Sequence, residues 1–315
     1  MSAKIRRSWL LVPMSKADRL PQARQAHADV VVLDLAEFVT EEDKPAAREG
    51  VRTAINALQG CGVEVFAQVD AELLYADAYA CVWPGLTGVL ISRLESSGQV
   101  AEADTLLSQL EDARGILPGT LEIVAALETA KGNHAAYDIS RASQRVSGLT
   151  LGRADLIMDL RPEPSGEIHA MPYLMQRLIT VAHATGVMPI GAWWRAPDRG
   201  LLATPDNTYQ AARRGRAIGF KGSLCMLDSQ VAPLNRGFTP AAEEMEAARQ
   251  LLTAYSAGVA EGAAAIRQND HVQGERIIDR GTATQAQHLL ALADACATRD
   301  QEKVEALSHP PLAIP

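Results

Sequence analysis

The sequence predicts a (β/α)8 barrel followed by a helical extension. Three observations carry this. Short runs rich in Val, Ile and Leu recur eight times between residues 9 and 227. These runs are near-continuous rather than alternating, the mark of strands buried on both faces, as in parallel sheets. Stretches of helical period separate them, so strand and helix alternate. A doubly wound open sheet has the weaker case, because no GxGxxG follows the first strand and eight strands is the count that closes.

The elements follow in order. "MSAKIRRSWLLVP" has a basic start but few apolar residues before Pro13. A signal peptide needs an apolar core of ~7–15 residues, so 9–13 reads as the first strand. The helical stretch "SKADRLPQARQAHA" comes next, then "VVVLDL" (30–35), "VEVFAQV" (63–69) and "GVLISRL" (88–94). "VAEADTLLSQLEDARGI" is the second clear helical stretch. "LEIVAALE" (121–128), "GLTLG" (148–152), "VMPIGAW" (187–193) and "GSLCML" (222–227) complete the eight. Residues 1–240 form the barrel domain.

After residue 240 the chain turns Ala- and Glu-rich with helical period. Thr239 suits the N-cap, Pro240 the first helical position, and Glu243 and Glu244 the first turn. A polar break, "RQNDHVQGERIIDRG", leads to a last helix, "TATQAQHLLALADAC". Residues 241–300 read as a helical lid, and 301–315 as a frayed tail.

Composition excludes several classes. Of 315 residues, 47% are hydrophobic and 22% charged, as in ordinary globular proteins. The formal charge of −8 is the wrong sign for a nucleic-acid binder, and the one basic cluster, "ARRGRAIG" at 212–219, reads as a solvated helix face. The four cysteines form no CxxC pair, which points to reduced thiols and a cytoplasmic protein. No apolar run approaches the ~18 residues of a membrane helix.

Chemistry enters at two strand ends. "IVAALETAKG" places Glu128 where an apolar run stops, and "SGLTLGRADL" does the same with Asp155. In a barrel, the C-terminal ends of strands line one mouth, so strands 5 and 6 aim both carboxylates at one cavity. Two such anions repel, and a divalent cation relieves the repulsion. Oxygen ligands with retained waters suit Mg2+. Each acid alone reads equally as a solvated loop residue or helix cap, and on the residues alone both readings stand.

A resemblance sharpens the choice. "RRSWLLVPMSKADRLPQA", "ADVVVLDLAEFVTEEDKPAAR", "ALETAKGNHAAYDISRASQRVSGLTLGRADLIMDL", "AIGFKGSLCMLDSQVAPLNRGFTPAAEEMEAA" and "GERIIDRGTATQAQHLL" are similar, in order, to the HpcH/HpaI aldolase and citrate lyase superfamily. The citrate lyase beta subunit and malyl-CoA or citramalyl-CoA lyase branch is the nearest. The resemblance implies a barrel whose C-terminal helical segment packs on a neighbouring subunit, in a homotrimer or hexamer. Glu128 and Asp155 fall on the metal ligands, for Mg2+ or Mn2+. The implied reaction makes or breaks a carbon–carbon bond beside a carbonyl, with the metal gripping a 2-oxo acid and an acyl-CoA as the other fragment. Asp279, in "RIIDRG", matches the lid aspartate, a candidate acid or base. Pro13, at the end of the first strand, is a candidate substrate contact.

The departures are specific. The usual Leu-Asp-Leu-Glu-Asp reads "LDLAE", which keeps Asp34, puts Ala36 at the glutamate position and makes Glu37 the next acid. A methyl group cannot accept a hydrogen bond. Glu37, one methylene longer than aspartate, partly compensates and is a catalytic candidate. The third strand's substrate-clamping arginine is replaced by Gln68. Losing such a contact to an oxyanion costs on the order of 10²–10³ in rate. Arg93, in "SRLES", is either a relocated clamp or a structural arginine paired with Glu95 or another rim acid. "GAWWRAPDRG" places Trp193, Trp194 and Arg195 at the rim. They either shape a site for a different acyl group or pack against the next loop. The metal pair survives while the substrate shell is rewritten. The leading expectation is a Mg2+-dependent lyase on a hydroxyacyl-CoA ester. A CoA-independent aldolase on a 4-hydroxy-2-oxo acid, a thioester hydrolase and a weakly catalytic binding or regulatory subunit stay open.

Overall fold

Eight parallel strands close into a barrel in the computed structural model, which describes residues 4–161, 167–194, 203–270 and 274–308. The strands are β1 (Ser8–Pro13), β2 (Val30–Asp34), β3 (Glu64–Asp70), β4 (Gly88–Ser92), β5 (Glu122–Leu127), β6 (Val146–Leu151), β7 (Met188–Ile190) and β8 (Ser223–Cys225). Each pairs with its sequence neighbours, and β1 also pairs with β8. The last seam, between β7 and β8, is a single bridge, Ile190 to Gly222, with the Gly191 amide donating to the Gly222 carbonyl at 2.6 Å. The predicted barrel is therefore borne out.

Helices fill the crossovers. They are α1 (Leu20–Gln25), α2 (Lys44–Leu58), α3 (Leu74–Cys81), α4 (Ser97–Arg114), α5 (Ala130–His134), α6 (Ala136–Arg141), α7 (Arg153–Leu160), α8 (Glu167–Thr185), α9 (Pro205–Ile218) and α10 (Val231–Phe238). Local signals set the clearest ends. Ser96 and Gln99 form a capping box before α4, and Gly115, at φ +64°, ends it.

Side chains on a strand point alternately to opposite faces, and both faces here are apolar. Outward residues such as Leu10, Val12, Val31, Leu33, Val89 and Ile91 pack under the helices. Inward residues Trp9, Val30, Val32, Phe66, Leu90 and Val124 fill the barrel's interior. This double burial is why the strand runs are continuous rather than alternating.

The barrel floor is a charge cluster. Arg6 is 3% exposed and donates to Glu122 at 2.6 and 2.9 Å and to Glu64 at 3.1 Å. Its guanidinium also stacks on Phe66 and Trp9, 5.0 and 5.6 Å from the ring centres. Burial opposes ionisation of Glu122, but Arg6 outweighs it and brings the carboxyl down to about 2.

The chain divides into two compact units, Met1–Phe238 with Glu305–Pro315, and Thr239–Val304. In the second unit α11 (Ala242–Ala260) begins later than the sequence suggests. Ala241 is its N-cap residue, and Glu244 supplies the capping by accepting from the Ala241 amide at 2.7 Å. The expected polar break is partly an antiparallel hairpin, β9 (Ile266–Asp270) with β10 (Gly274–Ile278). Ile278, Ala248, Leu251 and Ala286 form this unit's own small core. The last helix, α12 (Arg280–Ser308), overruns the tail expected from residue 301. "QEKVEALS" keeps good helix formers, so nothing stops the helix there. Residues 309–315 lie outside the described residues.

Candidate active site

Glu128 and Asp155 arrive at the same place by different routes. Glu128 follows the last residue of β5. Asp155 lies in the first turn of α7, past β6 and the Gly152 N-cap. Glu37 joins them from the loop after β2. One carboxylate oxygen from each of the three lies within 4.8 Å of the others.

The loop after β2 explains why Glu37, rather than Ala36, reaches the cluster. Asp34 is fully buried. Its Oδ1 accepts from the amides of Ala36 (2.8 Å) and Glu37 (3.1 Å), and its Oδ2 from that of Phe38 (2.8 Å). The Lys44 ammonium donates to the Leu35 carbonyl at 3.2 Å. Wrapped around Asp34, the loop leaves Ala36 buried and Glu37 and Phe38 at the mouth. Glu37 thus brings a carboxylate to the mouth from one residue beyond the buried Ala36.

Glu128 is 6% exposed and tightly held. Its Oε2 accepts from the Arg93 amide at 2.9 Å. Gly152 lies so close that a Cβ there would overlap the Glu128 side chain. Burial, then Glu37 and Asp155, push the Glu128 carboxyl up to about 8. Reduced contact with water, then Asp155 and Asp34, also raise Glu37, against a hydrogen bond from Gln68.

The three acids form one side of a cavity of about 260 Å³. Gln68 and Thr150 add neutral polar groups. Leu11, Leu90, Leu224 and Met226 form an apolar wall, and no Lys or Arg lines the cavity among the described residues. Gln68 is buried and donates to Ser92 Oγ at 2.9 Å. Gln230 accepts from the amides of Met226 and Leu227, both at 3.2 Å, which fixes the Met226 side of the wall. Cys225 also lines the cavity. Burial pushes its thiol far up, so it stands there neutral.

Other barrel candidates sit elsewhere. The Arg93 guanidinium turns to Asp70, with Glu72 at 3.6 Å. Glu95 pairs with Lys131 at 3.0 Å instead. Pro13 ends β1 next to Asp34 and does not line the cavity. Nor do Trp193 and Trp194, which are half-buried, Trp194 against the outer core. Arg195 lies outside the described residues. Asp279 is exposed in the second unit, where its Oδ1 accepts from the Thr282 amide and hydroxyl, both at 2.8 Å, holding its carboxyl below the usual range. The importance of Gly152 was not read from the sequence, although its place between a strand and an acid-bearing helix was a visible signal.

The barrel and its acidic mouth have counterparts among known proteins. The sequence matches the HpcH/HpaI aldolase/citrate lyase family over residues 7–227. This chain belongs to that family. Its members are Mg2+-dependent carbon–carbon lyases. Within the family, the chain is 30% identical to a citrate lyase subunit beta-like protein of Deinococcus radiodurans, over 81% of this chain and 88% of that one. It is 24% identical to the L-malyl-CoA/beta-methylmalyl-CoA lyase of Rhodobacter capsulatus, over 93% and 96%. The fold is similar to that of CitE from Mycobacterium tuberculosis, solved with magnesium, acetoacetate and coenzyme A, with a TM-score of 0.71 at 23% identity over 93% of this chain and 99% of that one.

Proposed function

We propose that this family member is a Mg2+-dependent lyase that cleaves or forms a carbon–carbon bond between a 2-oxo acid and the acyl part of a CoA ester. The carrying observation is the cluster of Glu37, Glu128 and Asp155 beside an apolar wall. Glu37 and Glu128, both raised by burial and then by neighbouring acids, together with Asp155 are a donor set suited to a hard divalent cation. Glu128 and Asp155 are the protein's ligands. Glu37 completes the set, either on the metal or through a water it holds.

When bound, the cation supplies Lewis-acid polarisation and a template for the oxo acid's carboxylate and carbonyl oxygens. The remaining work belongs to the chain. Ser92 orients Gln68, whose uncharged amide stands where the family places an arginine and donates to Glu37. Leu11, Leu90, Leu224 and Met226 exclude water from the reacting carbons, which strengthens every electrostatic contact inside. The apolar wall of Leu11, Leu90, Leu224 and Met226 suits a fragment that carries no charge of its own. Short, uncharged acyl groups are therefore the preferred partners, and Gln68 is the residue that selects them. Asp279 from a second copy in a trimer or hexamer is the further contact this reading assigns, and Trp193, Trp194 and Arg195, which follow β7 in sequence, are candidates to meet the acyl group outside the cavity.

The experiment is a panel of 3-hydroxyacyl-CoA esters, malyl-CoA and citramalyl-CoA included, with products followed by mass spectrometry. A paired acyl-CoA and oxo acid, lost in EDTA and lowered on the order of 10³-fold by Glu128→Ala or Asp155→Ala, is the expected result. Free CoA without an oxo acid points to thioester hydrolysis, and cleavage of free 4-hydroxy-2-oxo acids alone points to an aldolase. Full activity of either variant in Mg2+ overturns the assignment.

A further inference from the structure

The corner after β4 is built in an unusual way. Arg93 has φ +57°, in the left-handed region that glycine favours and that an arginine rarely adopts. Three contacts hold it there. Its guanidinium is tied to Asp70, at the end of β3. The next carbonyl, that of Leu94, lies against Gly132 of α5 so closely that a Cβ at 132 would overlap it. Thr129 fixes that glycine by accepting from its amide at 3.0 Å. The consequence falls on one atom, since the Arg93 amide donates to Glu128 Oε2 at 2.9 Å.

We propose that Arg93 is a positioning residue: its left-handed backbone, rather than its guanidinium, shapes the corner whose amide holds Glu128 and fixes that carboxylate for the metal. The inference rests on the metal reading above and deepens it. An ordinary right-handed or extended φ would send the chain after the amide in another direction and break the Leu94–Gly132 and Arg93–Asp70 contacts that hold the corner against Glu128, leaving Glu128 only the steric limit set by Gly152. The guanidinium is spent on Asp70, where it stabilises the corner from outside the cavity. This differs from a clamp role, in which Arg93 would meet substrate directly. The two accounts make opposite demands on the same position, because a clamp needs the charge and a corner needs the φ.

The test compares Arg93→Gly with Arg93→Ala in the full-length chain, measuring Mn2+ affinity by the electron paramagnetic resonance signal of free Mn2+. Both variants lack the guanidinium, and only their tolerance of positive φ differs. Far-ultraviolet circular dichroism and a thermal melt confirm that each is folded, and Arg93→Asn, another residue that tolerates this region, serves if either is not. The expected result is an Mn2+ Kd for Arg93→Gly within about 3-fold of wild type, and a Kd for Arg93→Ala about 5–10-fold weaker, a factor that follows from the usual cost of a left-handed alanine. Equal weakening of both variants assigns the role to the guanidinium and overturns the proposal. Unchanged affinity in both shows that the corner does not matter and also overturns it. Wild-type protein that binds no Mn2+ fails at the earlier step and overturns the metal reading itself, together with the role given to Arg93.

Discussion

The two ends of the barrel treat buried carboxylates in opposite ways. At the floor, Glu64 and Glu122 meet the buried Arg6, and Glu122 falls to about 2. At the mouth, Glu128 meets Glu37 and Asp155 with no cation lining the cavity among the described residues, and rises to about 8. Floor charges are neutralised where they stand. Mouth charges are left uncompensated on the same rigid frame. A buried anion without a partner is costly, so an uncompensated cluster marks a place where the protein gives up stability for a ligand.

The largest predicted effect breaks the floor. Arg6→Met leaves Glu64 and Glu122 facing each other in the interior, and removing one partner of a buried pair costs about 3–5 kcal/mol. Urea unfolding at neutral pH checks this. Adding Glu64→Gln and Glu122→Gln to Arg6→Met should recover much of the loss. If Arg6→Met alone unfolds like wild type, Arg6 does not stabilise the floor.

A smaller effect sharpens the mouth. Gly152→Ala places a methyl group where the Glu128 side chain runs. Overpacking of this kind costs about 1–3 kcal/mol, and the displaced carboxylate should weaken Mn2+ binding by about 10-fold, within the range seen when ligand-orienting contacts are lost. Calorimetric titration reads the affinity and a thermal melt the stability. Lost stability with unchanged Mn2+ affinity would separate Gly152 from the metal site.

Much of this was legible in the sequence, for physical reasons. Strands buried on both faces must be apolar throughout, so eight runs announced eight strands. Glu128 and Asp155 were visible because a charge at the end of such a run has few places to go. The facing of Ala36 and Glu37 was not legible. It depends on Asp34 gathering three backbone amides, which turns the loop by one residue. The direction of Arg93 depends on Asp70, 23 positions earlier, and no local pattern encodes that. The hairpin Ile266–Asp270 with Gly274–Ile278 was hidden by its polar composition, which reads as a loop when only hydrophobic runs mark strands.

The opposite signs at the two ends also give opposite pH dependences. Glu122 titrates below its free value near 4.5, so its stabilising contribution is present above that pH and fades as pH falls toward 2. Glu128 titrates above 4.5, so the native state holds the extra proton and stability falls as pH rises from about 4.5 to 8.

The most direct measurement of the central claim is the thermal unfolding midpoint of wild type and Glu128→Gln between pH 5 and pH 9, with and without saturating Mg2+. Mg2+-free wild type should lose stability relative to Glu128→Gln as pH rises toward 8. Mg2+ should restore wild type there while shifting Glu128→Gln little. Parallel pH profiles for the two proteins, or equal Mg2+ shifts in both, would contradict that claim.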